Sequence, residues 1–244
     1  MALAHEFAGH GHDLVLVARR EQRLNTLADA IAAGGRPRPL VLAVDLQSAE
    51  AGPRIAAALI EHGLEPSVVV NNAGFGLVGR AAALDIVEQR DMIDVNVSAL
   101  TDLSLRFVGS LERHKGGILN VASIAGFMPG PGSAVYYATK AYVLSFTEAL
   151  HQELKPRGIR VCALCPGPVP TEFQARAGLP EARAPGSLSL SAEQVARDGY
   201  RGFMQGHRVV VPGFGNRLIT VLSRLLPRRM LLDAVDRRQK QRLR

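Results

Sequence analysis

A tyrosine and a lysine, Tyr136 and Lys140, stand four residues apart in the stretch VYYATKAYVLSFTEAL that begins at Val135. On a helix that spacing puts both side chains on one face, one turn from each other. A phenol and an ammonium both titrate near pH ~10. An ammonium beside a phenol favours the phenolate and draws the tyrosine toward a range where it can trade protons. Taken alone, however, such a pair is more often two exposed residues on a helix edge. Its meaning depends on what else the chain brings to the same end of the fold.

The chain has 244 residues, 47% of them hydrophobic, enough to bury a sizeable core within a single domain. No apolar run approaches the ~20 residues of a membrane span, and no secretory signal pattern opens the chain. Two cysteines do not make a disulfide framework, so a cytoplasmic setting is the default. The net charge of +7 is local: residues 217–244 hold nine Arg or Lys against two Asp, which leaves 20 basic and 20 acidic residues before them. Residues 1–216 are therefore an electrically balanced domain, and residues 217–244 a basic amphipathic tail. Nucleic-acid binding by the main domain is unsupported.

Short β-branched runs alternate with longer amphipathic stretches. The runs predict strands over residues 14–18, 40–44, 68–71, 117–121, 160–165 and 208–211. Most are nearly continuous in apolar residues, as when both faces of a parallel sheet are covered. Helix patterns fall over 21–33, 49–62, 86–113 and 136–157, while 174–191, rich in Ala, Pro, Gly and Ser, reads as a mobile loop. Strands alternating with helices predict a doubly wound α/β sheet in three layers, α/β/α. In such a sheet ligands bind outside the carboxyl ends of the strands. Those ends carry Arg19 and Arg20, Asp45 and Leu46, Asn71-Asn72-Ala73-Gly74, Ser123, and Pro166-Gly167-Pro168-Val169-Pro170-Thr171. Each has an ordinary reading as turn chemistry or a solvated end. Five strand ends carrying such signals together are harder to dismiss.

The ordered set NNAG at 71–74, Asn96 in MIDVNV, Ser123 in NVASIAG, YxxxK at Tyr136 and Lys140, and Pro166-Gly167 with Thr171 resembles the short-chain dehydrogenase/reductase family over nearly the whole chain. The resemblance implies a Rossmann-like fold and interconversion of a carbonyl and an alcohol with a nicotinamide cofactor. It assigns proton exchange with the substrate oxygen to Tyr136 and binding of the nicotinamide ribose to Lys140. Ser123 hydrogen-bonds the substrate oxygen, and Asn96 holds a water in a relay to the lysine. Pro166, Gly167, Val169 and Thr171 fix the nicotinamide, Asp45 and Leu46 flank the adenine, and Asn72, Ala73 and Gly74 pass close to the adenosine ribose. A homodimer or homotetramer is implied as well.

The strand ending VARR bears on cofactor choice. An acidic residue there would take the ribose 2′-hydroxyl, whereas Arg19 and Arg20 suit a 2′-phosphate, so NADP is favoured over NAD. One element of the family pattern is not found. No glycine-rich turn opens a helix after a first strand; Gly9 and Gly11 precede a strand instead. The absent strand would lie between those at 14–18 and 68–71. A longer true protein accounts for this better than a degenerate relative, because the other motifs are intact, and the 244 residues alone are expected to bind NADP(H) weakly or not at all.

Cys162 and Cys165 form a C-x-x-C within a strand, where residues three apart face opposite sides, so buried thiols are expected in place of a disulfide or shared metal. The histidines form no ligand cluster, no metal site is proposed, and no G-x-S-x-G elbow is present. The expected activity is that of an NADP-dependent carbonyl reductase or alcohol dehydrogenase. Ala125 to Val135 and the loop after Thr171 would line the substrate site, and Phe127, Met128, Phe173 and Leu179 lean toward a lipophilic small molecule. The alternatives are a non-enzymatic binding protein on this fold and a peripheral membrane protein anchored by its tail. In the tail, Leu218, Val221, Leu222 and Leu225 share one helical face until Pro227 ends or kinks it. That face could cap the core, meet another copy of the chain, or lie on an anionic membrane.

Overall fold

The computed structural model describes residues 1–170 and 188–242. Its first part runs α1 (Ala2–Gly9), β1 (Val15–Ala18), α2 (Glu21–Ala33), β2 (Leu40–Ala43), α3 (Ala51–Glu61) and β3 (Val68–Asn71). Then come α4 (Ile86–Ile93), α5 (Leu100–Arg106), α6 (Val108–Arg113), β4 (Gly117–Val121), α7 (Ala134–Leu154) and β5 (Arg160–Leu164). The last part is α8 (Ala192–Met204), β6 (Val209–Val210), α9 (Phe214–Leu225) and α10 (Arg228–Arg242). Thr171, Phe173, Leu179 and most of the loop expected over 174–191 lie outside the described residues.

Every strand pairing is parallel, as the apolar runs predict. The strands divide into two sheets, β1-β2 and β3-β4-β5-β6, and no hydrogen bonds pair β1 with β3 among the described residues. The division falls between β1 and β3. Helices bridge it. On one face Phe7 of α1 joins Val195, Tyr200 and Phe203 of α8 over Leu119, Cys162 and Leu164, with Leu14 and Val68 packed alongside. On the other, Ile55 and Leu59 of α3 pack with Val15 and Val17 of β1 and with Leu103 and Phe107. The alternating side chains of a strand feed both layers: Cys162 enters the α8 side and Cys165 the α7 side, both free and buried.

The helix expected over 86–113 is not continuous. Between α4 and α5 the chain widens into a π turn over Asp94–Ala99, and it breaks again at Phe107 before α6. A π turn inserts a residue into the helical repeat and redirects the side chains that follow. Here Asn96 lies within that turn and is buried.

Behind the sheet ends runs a polar chain with almost no access to water. Asn71 Nδ2 donates to Asn120 Oδ1 at 2.8 Å and to Ser104 Oγ at 3.0 Å. Asn120 Nδ2 donates to Thr147 Oγ1 at 2.9 Å, and Thr147 donates to the Val143 carbonyl. These bonds tie β3 to β4, β4 to α7 and β3 to α5. A buried amide stripped of its partners costs more than the bonds themselves contribute. Asn120→Ala leaves Asn71 Nδ2 and Thr147 Oγ1 each short of a partner, and should lower unfolding free energy by about 2–4 kcal/mol. Urea titration followed by circular dichroism checks this; a loss within the error of extrapolation would show that the network is dispensable.

Candidate active site

β4 and β5 lie side by side, and the turns after them meet. Beyond β4, the Ser123 Oγ accepts the Ala125 N–H at 3.1 Å, capping a 3-10 turn over Ile124–Phe127, and donates to the Pro166 carbonyl beyond β5 at 3.4 Å. A two-way bond of this kind holds the hydroxyl at one position between the two strand ends. α7 begins at Ala134, and its first turns run past this point. Gly130 makes the approach possible: a Cβ there would fall 2.2 Å from ring atoms of Tyr137.

Tyr136 and Lys140 both face inward from α7. Tyr136 borders a cavity and is otherwise enclosed by protein, with a hydrogen bond to the Ser123 side chain. Lys140 is 5% exposed; its Nζ donates to the Val121 carbonyl at 2.8 Å and lies 6.0 Å from the centre of the Tyr136 ring. Burial pushes the Tyr136 phenol up to about 12, against a smaller opposing effect of the Ser123 bond. Burial also draws the Lys140 ammonium down to about 8. The expectation that Lys140 lowers the tyrosine's pKa does not hold for the protein alone. The cost of an enclosed phenolate outweighs the help around it, and the ammonium is committed to a strand carbonyl. Near neutral pH the pair is therefore a neutral phenol, poised to donate, beside a cation.

Asn96 is fully engaged from its π turn. Its Oδ1 accepts the Phe75 N–H at 3.1 Å, while Nδ2 donates to the Phe75 carbonyl at 2.9 Å and to Thr139 Oγ1 at 3.1 Å. This clamps the segment after β3 against α7. Gly74 fits between: a Cβ there would lie 2.8 Å from Asn96 Oδ1 and 3.6 Å from Lys140 Nζ. Asn96 and Lys140 thus flank one backbone position, which only a residue without a side chain can occupy undisturbed.

The cavity, about 490 Å³, is lined by Asn72, Gly74, Ser123, Tyr136, Lys140, Pro166, Gly167 and Val169. Of the segment 125–135, Ala125, Met128 and Ser133 line it; Phe127 does not, and its ring instead meets the Arg224 guanidinium at 5.3 Å. Leu188, at the end of the loop expected to line the site, does line it; Val195, Ile219, Val235 and Gln239 line it as well and were missed by sequence reasoning. Met1, Ala2 and Leu3 at the start of α1 also reach the cavity. Arg19, Arg20, Asp45 and Leu46 stand apart from it, at the ends of β1 and β2 in the smaller sheet. There Arg19 Nη1 donates to Gln47 Oε1 at 3.2 Å and lies 3.9 Å from Asp45 Oδ2, and Arg20 sits exposed at the cap of α2. No group of His, Cys, Asp or Glu able to hold a metal ion is found among the described residues.

The depressed Lys140 pKa carries a stability signature. Between pH about 8 and the ordinary 10.5 the unfolded chain binds more protons than the folded one, so stability contributed through this lysine rises with pH across that window. Below it the full cost of a buried ammonium is present. Lys140→Met removes that cost, so urea unfolding should show wild type gaining on the variant between about pH 8 and the ordinary 10.5. A difference that stays constant with pH would mean that Lys140 keeps its ordinary proton affinity.

Comparison with known proteins identifies the family. Residues 1–181 match the short chain dehydrogenase family. The chain is 36% identical over 203 residues to a sulfoacetaldehyde reductase from Chromohalobacter salexigens, covering 80% of this chain and 79% of that protein. It is 32% identical over 175 residues to the human very-long-chain 3-oxoacyl-CoA reductase, covering 70% of this chain and 55% of that one. Among solved structures, a short-chain dehydrogenase from Sphingobium yanoikuyae in complex with NADPH superposes with a TM-score of 0.81 at 29% identity, over 92% of this chain and 88% of that one. The chain belongs to the short-chain dehydrogenase/reductase family, and is by that membership an NAD(P)-dependent oxidoreductase of the carbonyl/alcohol class.

Proposed function

We propose that this protein is an NADP-dependent reductase that converts a lipophilic carbonyl compound to its alcohol, with Tyr136 as the proton donor. The observation that carries this reading is the convergence of a neutral phenol, a positioned hydroxyl and a buried ammonium on one apolar cavity. A nicotinamide cofactor fits the residues present. Gly74 leaves its backbone open beside Lys140, and Pro166, Gly167 and Val169 line the cavity beyond β5. When bound, the cofactor supplies the hydride to the carbonyl carbon. Ser123, on turning its one hydroxyl proton from the Pro166 carbonyl to the substrate, and Tyr136 hold the carbonyl oxygen, and Tyr136 delivers the proton as negative charge develops there. Lys140 keeps a positive charge near that oxygen and binds the nicotinamide ribose. Asn96 positions Phe75 and Thr139, and with them the loop that passes the lysine.

NADP in preference to NAD is supported by Arg19 and Arg20 at the end of β1, with Asp45 and Leu46 across from them beside the adenine. Asn72, Ala73 and Gly74 after β3, and Thr171 in the segment beyond Val169, complete the cofactor contacts in this reading. A lipophilic substrate is supported by the apolar lining, with Leu77, Val78, Ile124, Met128, Leu188 and Ile219 around the polar groups. A homodimer or homotetramer belongs to the same reading, supported by the exposed apolar surface of Leu105 on α5 and Tyr142 on α7. A second reading, a binding protein with little turnover, draws support from the divided sheet, since β1 and β2 pair with each other and with no other strand among the described residues.

Two measurements test these assignments. Tyr136→Phe should lower carbonyl-dependent NADPH oxidation by at least about a hundredfold, with NADPH affinity by fluorescence titration unchanged. Wild-type turnover in that variant would remove Tyr136 from the role, and a wild-type protein that binds NADPH without turning over any carbonyl would favour the second reading. Separately, Arg19→Ala combined with Arg20→Ala should cost NADPH about tenfold in affinity while leaving NADH nearly untouched. Equal losses for both cofactors would show that the arginines do not read the 2′-phosphate.

A further inference from the structure

α9 is built inside out. Its apolar stripe, Phe214, Leu218, Val221, Leu222 and Leu225, recurs at spacings of three and four and points to solvent, with Phe214 82% and Leu225 75% exposed. Its polar residues Asn216, Thr220 and Ser223 face the protein. An ordinary surface helix does the reverse. The inversion is held in place. Thr220 and Ser223 satisfy their hydroxyls within the helix, by donating to the Arg217 and Thr220 carbonyls at 2.8 and 2.9 Å, so they can be buried without partners elsewhere. Asn216 Nδ2 bonds the carbonyls of Pro212 and Leu188, and its side chain fills the space beside Gly167, where a Cβ would fall 2.3 Å from Oδ1. The helix cannot turn its leucines inward without breaking these contacts.

The surroundings of the stripe say what covers it. Residues 214–232 contain four arginines, Arg217, Arg224, Arg228 and Arg229, and no acidic residue. All four are exposed, and the apolar surface continues past them into Leu226 and Met230. A second copy docked on this face about a two-fold axis would set one cationic rim against the other. A surface that is apolar within and anionic at its edge matches both features: the interface of a bilayer containing acidic lipids. No helix among the described residues is long and apolar enough to cross a membrane.

We propose that the outer face of α9 is a peripheral docking surface for anionic membranes. Phe214 and the leucines enter the interface, and Arg228 and Arg229 meet lipid phosphates, while Arg217 and Arg224, which also touch the Val211 carbonyl and the Phe127 ring, add positive charge at the rim. Ile219, on the inner side of the same helix, lines the catalytic cavity. A docked bilayer therefore lies about one helix diameter, ~10 Å, from that cavity. The docking itself does not depend on the reductase reading, and its test reads no activity.

The test is co-sedimentation of the full chain at low salt with vesicles of phosphatidylcholine alone, or of equal parts phosphatidylcholine and phosphatidylglycerol. The protein should pellet with the mixed vesicles and stay in the supernatant with the neutral ones. Phe214→Ser combined with Leu225→Ser should reduce the bound fraction about tenfold with an unchanged circular dichroism spectrum, because both side chains are already in water. Arg228→Gln combined with Arg229→Gln should weaken binding and flatten its salt dependence. Failure of the wild type to pellet with anionic vesicles overturns the proposal, as does full binding by the double serine variant. So does a stable dimer that the serine substitutions dissociate while vesicle binding is absent, which would make this face a contact between copies of the chain.

Discussion

Asn120 sits near the carboxyl end of β4 with no exposure to water, and its amide must find partners inside the protein. It finds them on β3 and on α7 at once, through Asn71 and Thr147. Apolar packing alone would let α7 slide along the sheet with little penalty, since one aliphatic contact replaces another. A buried amide has no such latitude, because a small displacement forfeits bonds that water cannot replace. The polar chain therefore sets how far α7 extends past the sheet, and with it the position of Tyr136 and Lys140 above the ends of β4 and β5. The bond from Lys140 Nζ to the Val121 carbonyl, one residue beyond Asn120, extends the same lock to the site.

The chemistry of the site follows from enclosure. The same burial that keeps the Tyr136 phenol protonated discharges Lys140 more readily, so the two shifts move the groups toward neutrality from opposite sides. With the phenol near 12 and the ammonium near 8, the neutral-acid and charged-lysine pair dominates at neutral pH. Such a pair is ready to protonate an oxygen gaining negative charge. It is not set to remove a proton from an alcohol until a further positive charge enters the cavity.

The two sheets show what helix packing can and cannot supply. α1 and α3 cover opposite faces of the division and bury Phe7, Ile55 and Leu59 across it. Hydrophobic contact of this kind is strong but undirected. It holds β1-β2 near β3 without defining a register between them, in contrast to the residue-by-residue pairing of β3, β4 and β5. The residues at the ends of β1 and β2 that are proposed to meet the cofactor are thus positioned less directly than those proposed at the ends of the larger sheet.

Strands 68–71 and 117–121 and the helix over 21–33 could be read from the chain because continuous apolar runs and a 3.6-residue period are local properties. Ser123, Tyr136 and Lys140 were legible for the same reason, as types at fixed spacings. α8 was not read, although Ser191 caps it and its buried positions, Gly199 and Gly202 among them, recur at helical spacing. Those glycines prove to be contact points, where a Cβ would fall 2.7 Å from Leu164 and 2.3 Å from Val210. The π turn at Asn96 was hidden, since the partners that occupy its amide, Phe75 and Thr139, come from segments 21 and 43 residues away. The apolar stripe of α9 was visible in the sequence, but its direction was not. The sequence by itself determined which residues are apolar, which are charged and how they repeat. Only the tertiary structure decided which way the stripe faces, which residues from the end of the chain line the cavity and where the balance of the Tyr136 and Lys140 protons falls. Burial is a sum over contacts from distant parts of the chain, and no local pattern contains that sum.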